Sequence, residues 1–456
     1  MSVRATYYLV SSLNWFANVV PMAVSVLFAQ SRGLSLGQIG VYGAVYALTV
    51  VLLELPSGAL ADTFGRKRTY LLAGALALAA KVLFLLAFDL SGFVAYALLW
   101  GTARALSSGA LEAWFVDALQ AREPNAPLQS ALAAAGSYNL VGLAAGTVTG
   151  AMLPGLFAWL PSDGAAVLTP LSATVIVSAV AQAAVIALAA LLVREPPPDR
   201  GRVGGRSGLR SALAEVRTVM LDAAALTRGS RPLQLLLLGE CLVGVALMTS
   251  ETLWQPFFAT RISEARLGEA SRGAADLVAH LLGTTAAADA RVLGFVLGGS
   301  FAMGVFGNVA ATRLTRLLKG RNALAAGVFQ GLQAVAFVVL AWQTGLIGAT
   351  ALFWLTYVTR SAWSSPHLAL FNAAVPAARR SVMLSVLSLA GFAGSFLGSL
   401  LLAPLAQATS IAVVWCVCAG VLALGVTAYL ALDRLTSAAG PDGRLAGPVA
   451  GAREGS

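Results

Sequence analysis

Twelve runs of about 20 to 28 mostly apolar residues, separated by short polar stretches, constrain this chain more than any other feature. Wound as a helix at about 1.5 Å per residue, such a run crosses the roughly 30 Å hydrocarbon core of a bilayer. In lipid the backbone must satisfy its own N–H and C=O groups, which leaves helices and closed barrels. Barrel strands would alternate over roughly 10 residues, and no such alternation occurs here. Only 11% of the 456 residues are charged and 58% are apolar, against about 25% charged in soluble domains. The expected fold is therefore all-α and membrane-integral, with spans near 6–30, 37–61, 69–88, 92–119, 127–153, 166–193, 233–259, 292–312, 323–342, 346–374, 380–404 and 410–432.

An even number of spans puts both termini on one side. Counting Arg380 and Asp117 at the membrane edge, one side carries 22 Lys/Arg against 10 Asp/Glu and the other 5 against 6. The excess of positive charge marks the first side as cytoplasmic, in a cytoplasmic (inner) membrane, with both termini inside. A nucleic-acid footprint would need a soluble basic surface, so the basic balance speaks for topology, with membrane lipids as partners. The three cysteines, Cys241, Cys416 and Cys418, all fall within apolar runs and have neither disulfide-framework nor metal-ligand spacing. No metal or cofactor is expected. The N-terminal apolar run is too long for a signal peptide and lacks a small-residue cleavage site, so it reads as span one.

The longest cytoplasmic stretch divides the chain into a six-helix bundle at 1–193, a linker at 194–232, a second six-helix bundle at 233–433, and a tail at 434–456 that is expected to be disordered. The linker opens with Arg194-Glu195-Pro196-Pro197-Pro198, a helix stop. Leu209, Leu213, Val216 and Met220 recur at helical spacing within 209–226, the pattern of an amphipathic helix on the anionic inner leaflet. Internal symmetry is faint. Gly65-Arg66 after span two corresponds to Gly320-Arg321 after span eight, at an offset of 255. Arg104 in span four corresponds to Arg360 in span ten, at an offset of 256. These places suggest a duplicated six-helix unit with pseudo-two-fold symmetry.

Between spans two and three the chain reads Gly58-Ala59-Leu60-Ala61-Asp62-Thr63-Phe64-Gly65-Arg66-Lys67-Arg68. This resembles the G-x-L-a-D-r-x-G-R-[KR] signature of the major facilitator superfamily, departing only at Thr63. Helix number, central loop and duplicated halves extend the resemblance over nearly the whole chain. It implies a bacterial secondary transporter of the kind that exports drugs or metabolites. It also implies a gating role for Gly58, Asp62, Gly65, Arg66 and Lys67. Asp62 would approach the N-terminus of span eleven, where the helix dipole favours an anion. Arg66 would pair with Asp117 at the cytoplasmic end of span four and help latch the gate. Arg104 resembles the arginine of the family's R-x-x-x-G pattern, but the glycine, Gly109, comes one residue late. Gly142, Gly146 and Gly150 form a small-xxx-small run suited to helix packing, without the Gly-Pro pair of drug antiporters.

Ionisable groups inside a span are costly and so are functional candidates. They are Glu54, Glu112, Glu240, Glu251, Arg104, Arg360 and Lys81. Glu112 lies eight residues after Arg104, on the same face of a continuous helix, and is expected to couple to substrate or protons. Glu251 is the other preferred coupling acid, ahead of Glu240, while Glu54 is placed to support the gate. Lys81 is expected to snorkel outward. Polar and aromatic cavity candidates are Asn14, Asn18, Asn139, Trp254, Gln330, Tyr357, Trp363, His367 and Asn372. There is no GxxxxGK[ST] phosphate loop, no nucleophile–base pair and no HExxH, so the chain is not read as an ATP-driven pump or an enzyme. The leading expectation is a monomeric secondary transporter that works by alternating access and exports a hydrophobic or cationic molecule in exchange for protons. Uptake or uniport of a nutrient or organic anion is the alternative within transport, with Arg104 and Arg360 as clamps. A non-transporting sensor or scaffold is the alternative of another class.

Overall fold

The computed structural model describes residues 1–123, 127–195, 218, 220–270 and 285–438, with 58–63, 266–270, 285–288, 378, 381 and 438 described as backbone only. Described residues are almost wholly helical. In chain order the helices are α1 (Val3–Val19), α2 (Ser25–Ser31), α3 (Leu36–Phe64), α4 (Arg66–Leu86), α5 (Leu90–Ser107), α6 (Ala110–Arg122), α7 (Leu128–Leu156) and α8 (Ser172–Leu192). A short α9 covers 220–228. There follow α10 (Arg231–Ala270), α11 (Thr285–Leu317), α12 (Asn322–Ala341), α13 (Leu346–Ala374), α14 (Arg380–Ala408) and α15 (Ile411–Ala438).

Nine of these are long and apolar enough to cross a membrane. The other three crossings differ for identifiable reasons. Span one is not the continuous helix expected over 6–30. It stops at Val19, turns through 20–24 and resumes as α2, because Pro21 can neither donate a backbone hydrogen bond nor clear the preceding turn. Span four, expected over 92–119, is likewise split into α5 and α6. Gly109 at the break has φ +73°, a left-handed conformation that an L side chain adopts only with strain. Span ten is the unbroken α13, but Arg360, His367 and its run of Ser and Thr make it too polar to rank with the nine.

Hydropathy also shortened two spans. α10 runs for 40 residues and α11 for 33, against the expected 233–259 and 292–312. Their outer ends stay helical past the apolar stretch, where charged residues such as Arg261 and Glu264 pair at i,i+3. Most of the amphipathic helix expected over 209–226 lies outside the described residues, as does the tail from 439. The described part, α9, is helical.

Contacts divide the chain into two units. The first joins Met1–Val216 to Glu251–Gly298 and Ser399–Gln407. It thus combines the first six spans with the ends of α10, α11 and α14 that the charge pattern places outside. The second comprises Arg217–Ser250, Gly299–Gly398 and Ala408–Ser456.

Within the first unit α1 packs on α7 and α8, and α5 packs on α3 and α4. Gly142 and Gly146 meet the α1 backbone at Ser12 and Phe16, and Gly150 meets it at the following Val20, so closely that a Cβ would collide with it, so these glycines serve helix packing. The core has an inner aromatic layer, where Tyr7 stacks on Phe115 at 4.2 Å. An outer layer surrounds Phe28, Phe84 and Phe93. Lys81 does not snorkel. It is 5% exposed. Its Nζ donates to Ala17 O at 2.9 Å and Asn18 Oδ1 at 3.2 Å and lies 5.5 Å from the Trp100 ring. Carbonyls at the C-terminus of α1 carry the negative end of its dipole, so the ammonium finds inside the bundle what snorkelling would have sought at the interface.

In the second unit α12 packs on α13 and α15. It is also the most enclosed of the nine apolar spans.

Candidate functional site

In the second unit a chain of polar and aromatic side chains runs through the interior. Trp363 and His367 are four residues apart on α13 and so share a face. Their rings stack at 4.5 Å. Trp363 Nε1 donates to Tyr429 Oη at 2.8 Å, and Tyr429 Oη lies 2.6 Å from His367 Nδ1. On the ring's other side, His367 Nε2 is 3.2 Å from Glu240 Oε2, close enough for an ion pair but without the alignment of a hydrogen bond. Gly239 makes room for the tyrosine and Gly391 for the carboxylate, since a Cβ would stand 3.0 Å from Tyr429 Oη and 3.2 Å from Glu240 Oε1.

Donor chemistry orders this chain. An indole nitrogen only donates, so the Tyr429 oxygen accepts from Trp363 and its own proton is free to point at Nδ1. The neutral imidazole then carries its hydrogen on Nε2, facing Glu240. Once the ring is protonated both nitrogens donate, and the Tyr429 hydroxyl must turn away. The charge of His367 is thereby tied to a hydroxyl rotor on α15 and a carboxylate on α10. His367 is 2% exposed, while the Glu240 side chain is 25% exposed. Glu240 is thus the more exposed member of the pair.

A second cluster lies in the first unit around Gly65, whose φ of +91° turns α3 directly into α4. Arg66 Nη1 pairs with Asp117 Oδ2 and donates to Ala113 O. Lys67 Nζ donates to Ala190 O at 2.7 Å. Glu195 accepts from Arg66 N at 2.8 Å and Lys67 N at 3.1 Å, placing a carboxylate on the positive end of α4. The cluster ties α4 to α6 and α8. The matching loop in the second half repeats the backbone, with Gly320 at φ +82°. Its arginine, Arg321, pairs with Asp433 near the end of α15, and this pairing raises the Arg321 pKa.

The other candidates scatter. Gly58 and Asp62 lie on α3 outside the described side chains. The break before Gly109 cancels the shared face of Arg104 and Glu112, because helical periodicity does not carry across it. Arg104 instead lies with Glu54 near the Tyr46 hydroxyl, and Glu112 lies near Tyr7. Glu251 is half-buried on α10 and engaged. Arg360 is half-buried on α13. Asn18 is taken by Lys81. Asn14 and Asn139 are half-buried on α1 and α7, and Asn139 Oδ1 is buried with no hydrogen-bond partner among the described residues. Trp254 is fully buried. Tyr357 meets Phe301 edge-on at 6.3 Å, Gln330 packs against Gly425, and Asn372 O accepts from Arg380. Sequence reading missed Tyr429 and Glu195. A buried tyrosine leaves no signal in an apolar run, but an acid at the end of span six, level with Arg66-Lys67, was a usable one.

Residues 5–359 match the family model described as Major Facilitator Superfamily. The chain belongs to that superfamily. This facilitator therefore has twelve transmembrane helices in two six-helix bundles. Among solved structures it is similar to the nucleoside transporter NupG, at 12% identity and a TM-score of 0.70 over 95% of this chain and 99% of that one. It is similar also to a bacterial homolog of the human lysosomal transporter Spinster, solved inward-facing and unoccupied. There the identity is 14% and the TM-score 0.66, over 95% and 96% of the two chains. No curated protein matches it. At these identities the likeness establishes the fold of a membrane transporter.

Proposed function

We propose that this facilitator is a proton-coupled secondary transporter of a small organic molecule, with Glu240 and His367 as its protonation site. The observation that carries the reading is the chain Glu240–His367–Tyr429–Trp363, which joins a buried imidazole to a partly accessible carboxylate across three helices. A buried ionisable pair inside a membrane protein is expensive to maintain without use. Here each change of charge must be answered by α10, α13 and α15 together, which is what coupling a proton to a helix movement requires. The four intramembrane acids suit exchange with protons, and the cargo is read as a hydrophobic or cationic molecule exported through the cytoplasmic membrane. Arg66 and Asp117 serve this cycle by holding the cytoplasmic ends of α4 and α6 in register. Uptake is the second reading. It is favoured by Arg360 on the same helix as His367, a cation suited to an anionic or polar solute.

Purified protein in liposomes carrying an internal pH dye tests the proposal against a panel of organic cations, organic anions and nucleosides. Cargo-dependent proton movement opposite to the cargo supports exchange. Movement in the same direction establishes uptake. Cargo flux without any proton movement overturns the coupling.

A further inference from the structure

Span one is broken, and the break is held from two sides by different means. On the α1 side both holders come from the first bundle: Lys81 Nζ and Ser178 Oγ donate to Ala17 O, and Lys81 reaches Asn18 as well. On the α2 side the holder is Gln255, which sits past the middle of α10, a helix of the second bundle. Gln255 Oε1 accepts from Val26 N at 2.9 Å and Leu27 N at 3.4 Å, and Nε2 donates to Met22 O at 2.9 Å. The side chain is 1% exposed.

A helix start leaves its first N–H groups unpaired, and Val24, the residue before α2, offers no side-chain cap. A carboxamide supplies a donor and an acceptor on one planar head, so Gln255 satisfies the N–H groups that open α2 and a carbonyl of the turn at once. Around it the outer ends of α10, α11 and α14 lie against the first bundle. Gln407 Oε1 accepts from Gly37 N at 2.9 Å, and a Cβ on Gly40 or Gly294 would collide with Ser399 O or Ala151.

We propose that Gln255 is a positioning residue for transport. Its carboxamide completes the start of α2 only while the outer end of α10 is docked, so it sets how often the outer side opens. Lys81 and Ser178 belong to the same bundle as α1 and keep their contacts in every state. The two clasps therefore divide the work: Lys81 fixes the break, and Gln255 reads whether the other bundle is present. The inference rests on alternating access, but on neither the cargo nor the coupling ion.

Spin labels at Ser162→Cys and Ala408→Cys, in protein lacking Cys241, Cys416 and Cys418, report the separation of the outer ends by pulsed electron resonance. Undocking leaves buried backbone groups unpaired, a loss of a size that changes an equilibrium on the order of tenfold. In Gln255→Leu part of that cost is present in the docked state already, so the longer-distance population should rise several-fold to tenfold. Gln255→Glu keeps the acceptor and loses the donor, and should fall between. Lys81→Met should lower the melting temperature while leaving the ratio of the two distances unchanged. Should Gln255→Leu fail to fold, Gln255→Asn, one methylene too short to reach Val26 N, replaces it. A folded Gln255 variant with the unaltered distance distribution overturns the proposal, as does an equal shift in Lys81→Met. Neither result bears on the Glu240–His367 site, which the dye assay tests separately.

Discussion

Replacing Glu240 with glutamine keeps the shape of the side chain beside Gly391 and removes its charge. Its carboxylate is the accessible end of the chain that leads to His367, 3.2 Å away, so the variant leaves the imidazole without its proton donor and acceptor. One such pair carries one proton per cycle. A proton crossing about 150 mV releases about 3.5 kcal/mol, at roughly 2.3 kcal/mol per 100 mV. At about 1.4 kcal/mol per decade this sustains a cargo ratio of roughly 300. Glu240→Gln should therefore lower the steady-state ratio in energised proteoliposomes from that ceiling toward one. Exchange of labelled for unlabelled cargo at equal concentrations should continue, because exchange needs the cavity and not the gradient. Loss of both activities would indicate a damaged fold rather than lost coupling, and His367→Gln, buried in the same chain, separates the two. If Glu240→Gln accumulates cargo to the full ratio, the proton travels elsewhere and the proposed relay is wrong.

Arg66→Ala and Asp117→Asn should each reduce turnover more than cargo affinity, read as maximal flux against half-saturation; wild-type flux in both would refute a gating role for the pair. Asp62→Asn should behave in the same way if the motif acts as one device. Asp89 caps α5 by accepting from Gly92 N and Ser91 Oγ, both at 2.9 Å, and these bonds hold its carboxyl below the usual carboxylate range. Its contribution is present above that range and lost as pH falls through the depressed value. Asp89→Ala should thus lower the melting temperature at pH 7, with the difference closing in acid; a constant difference down to pH 3 would contradict this. Single cysteines at Ser162 and Ser437, both exposed, test orientation: an impermeant maleimide added outside intact cells should label the first and spare the second.

Helix number, positions and family were legible in the sequence, because lipid imposes a length and a hydropathy that read directly. The Arg66–Asp117 contact was legible too, through the motif. The breaks were harder. Pro21 was visible, yet continuous hydropathy across 6–30 masked it. Gly109 was visible only as a glycine out of step with a family pattern, and its left-handed backbone supplies a physical reason for a glycine there. Lys81 was misread because one sequence cannot show that α1 ends level with it and offers carbonyls. The Glu240–His367–Tyr429 chain joins residues up to 189 positions apart, and its members gain meaning only from the packing of α10, α13 and α15.

The polarity of α13 bears on how the chain enters the membrane. A central arginine disfavours insertion of a helix by about 2.5 to 3.5 kcal/mol, and α13 carries Arg360 and His367 with few long apolar stretches to compensate. Its neighbour α12 precedes it in the chain and is the most enclosed of the apolar spans. α13 is thus expected to insert together with a neighbouring helix, and Tyr429, which satisfies its Trp363 and His367, arrives only with the last helix. Until then the indole and imidazole stand open, so the same hydrogen bonds that would serve the proton also mark the moment when synthesis of the second bundle is complete.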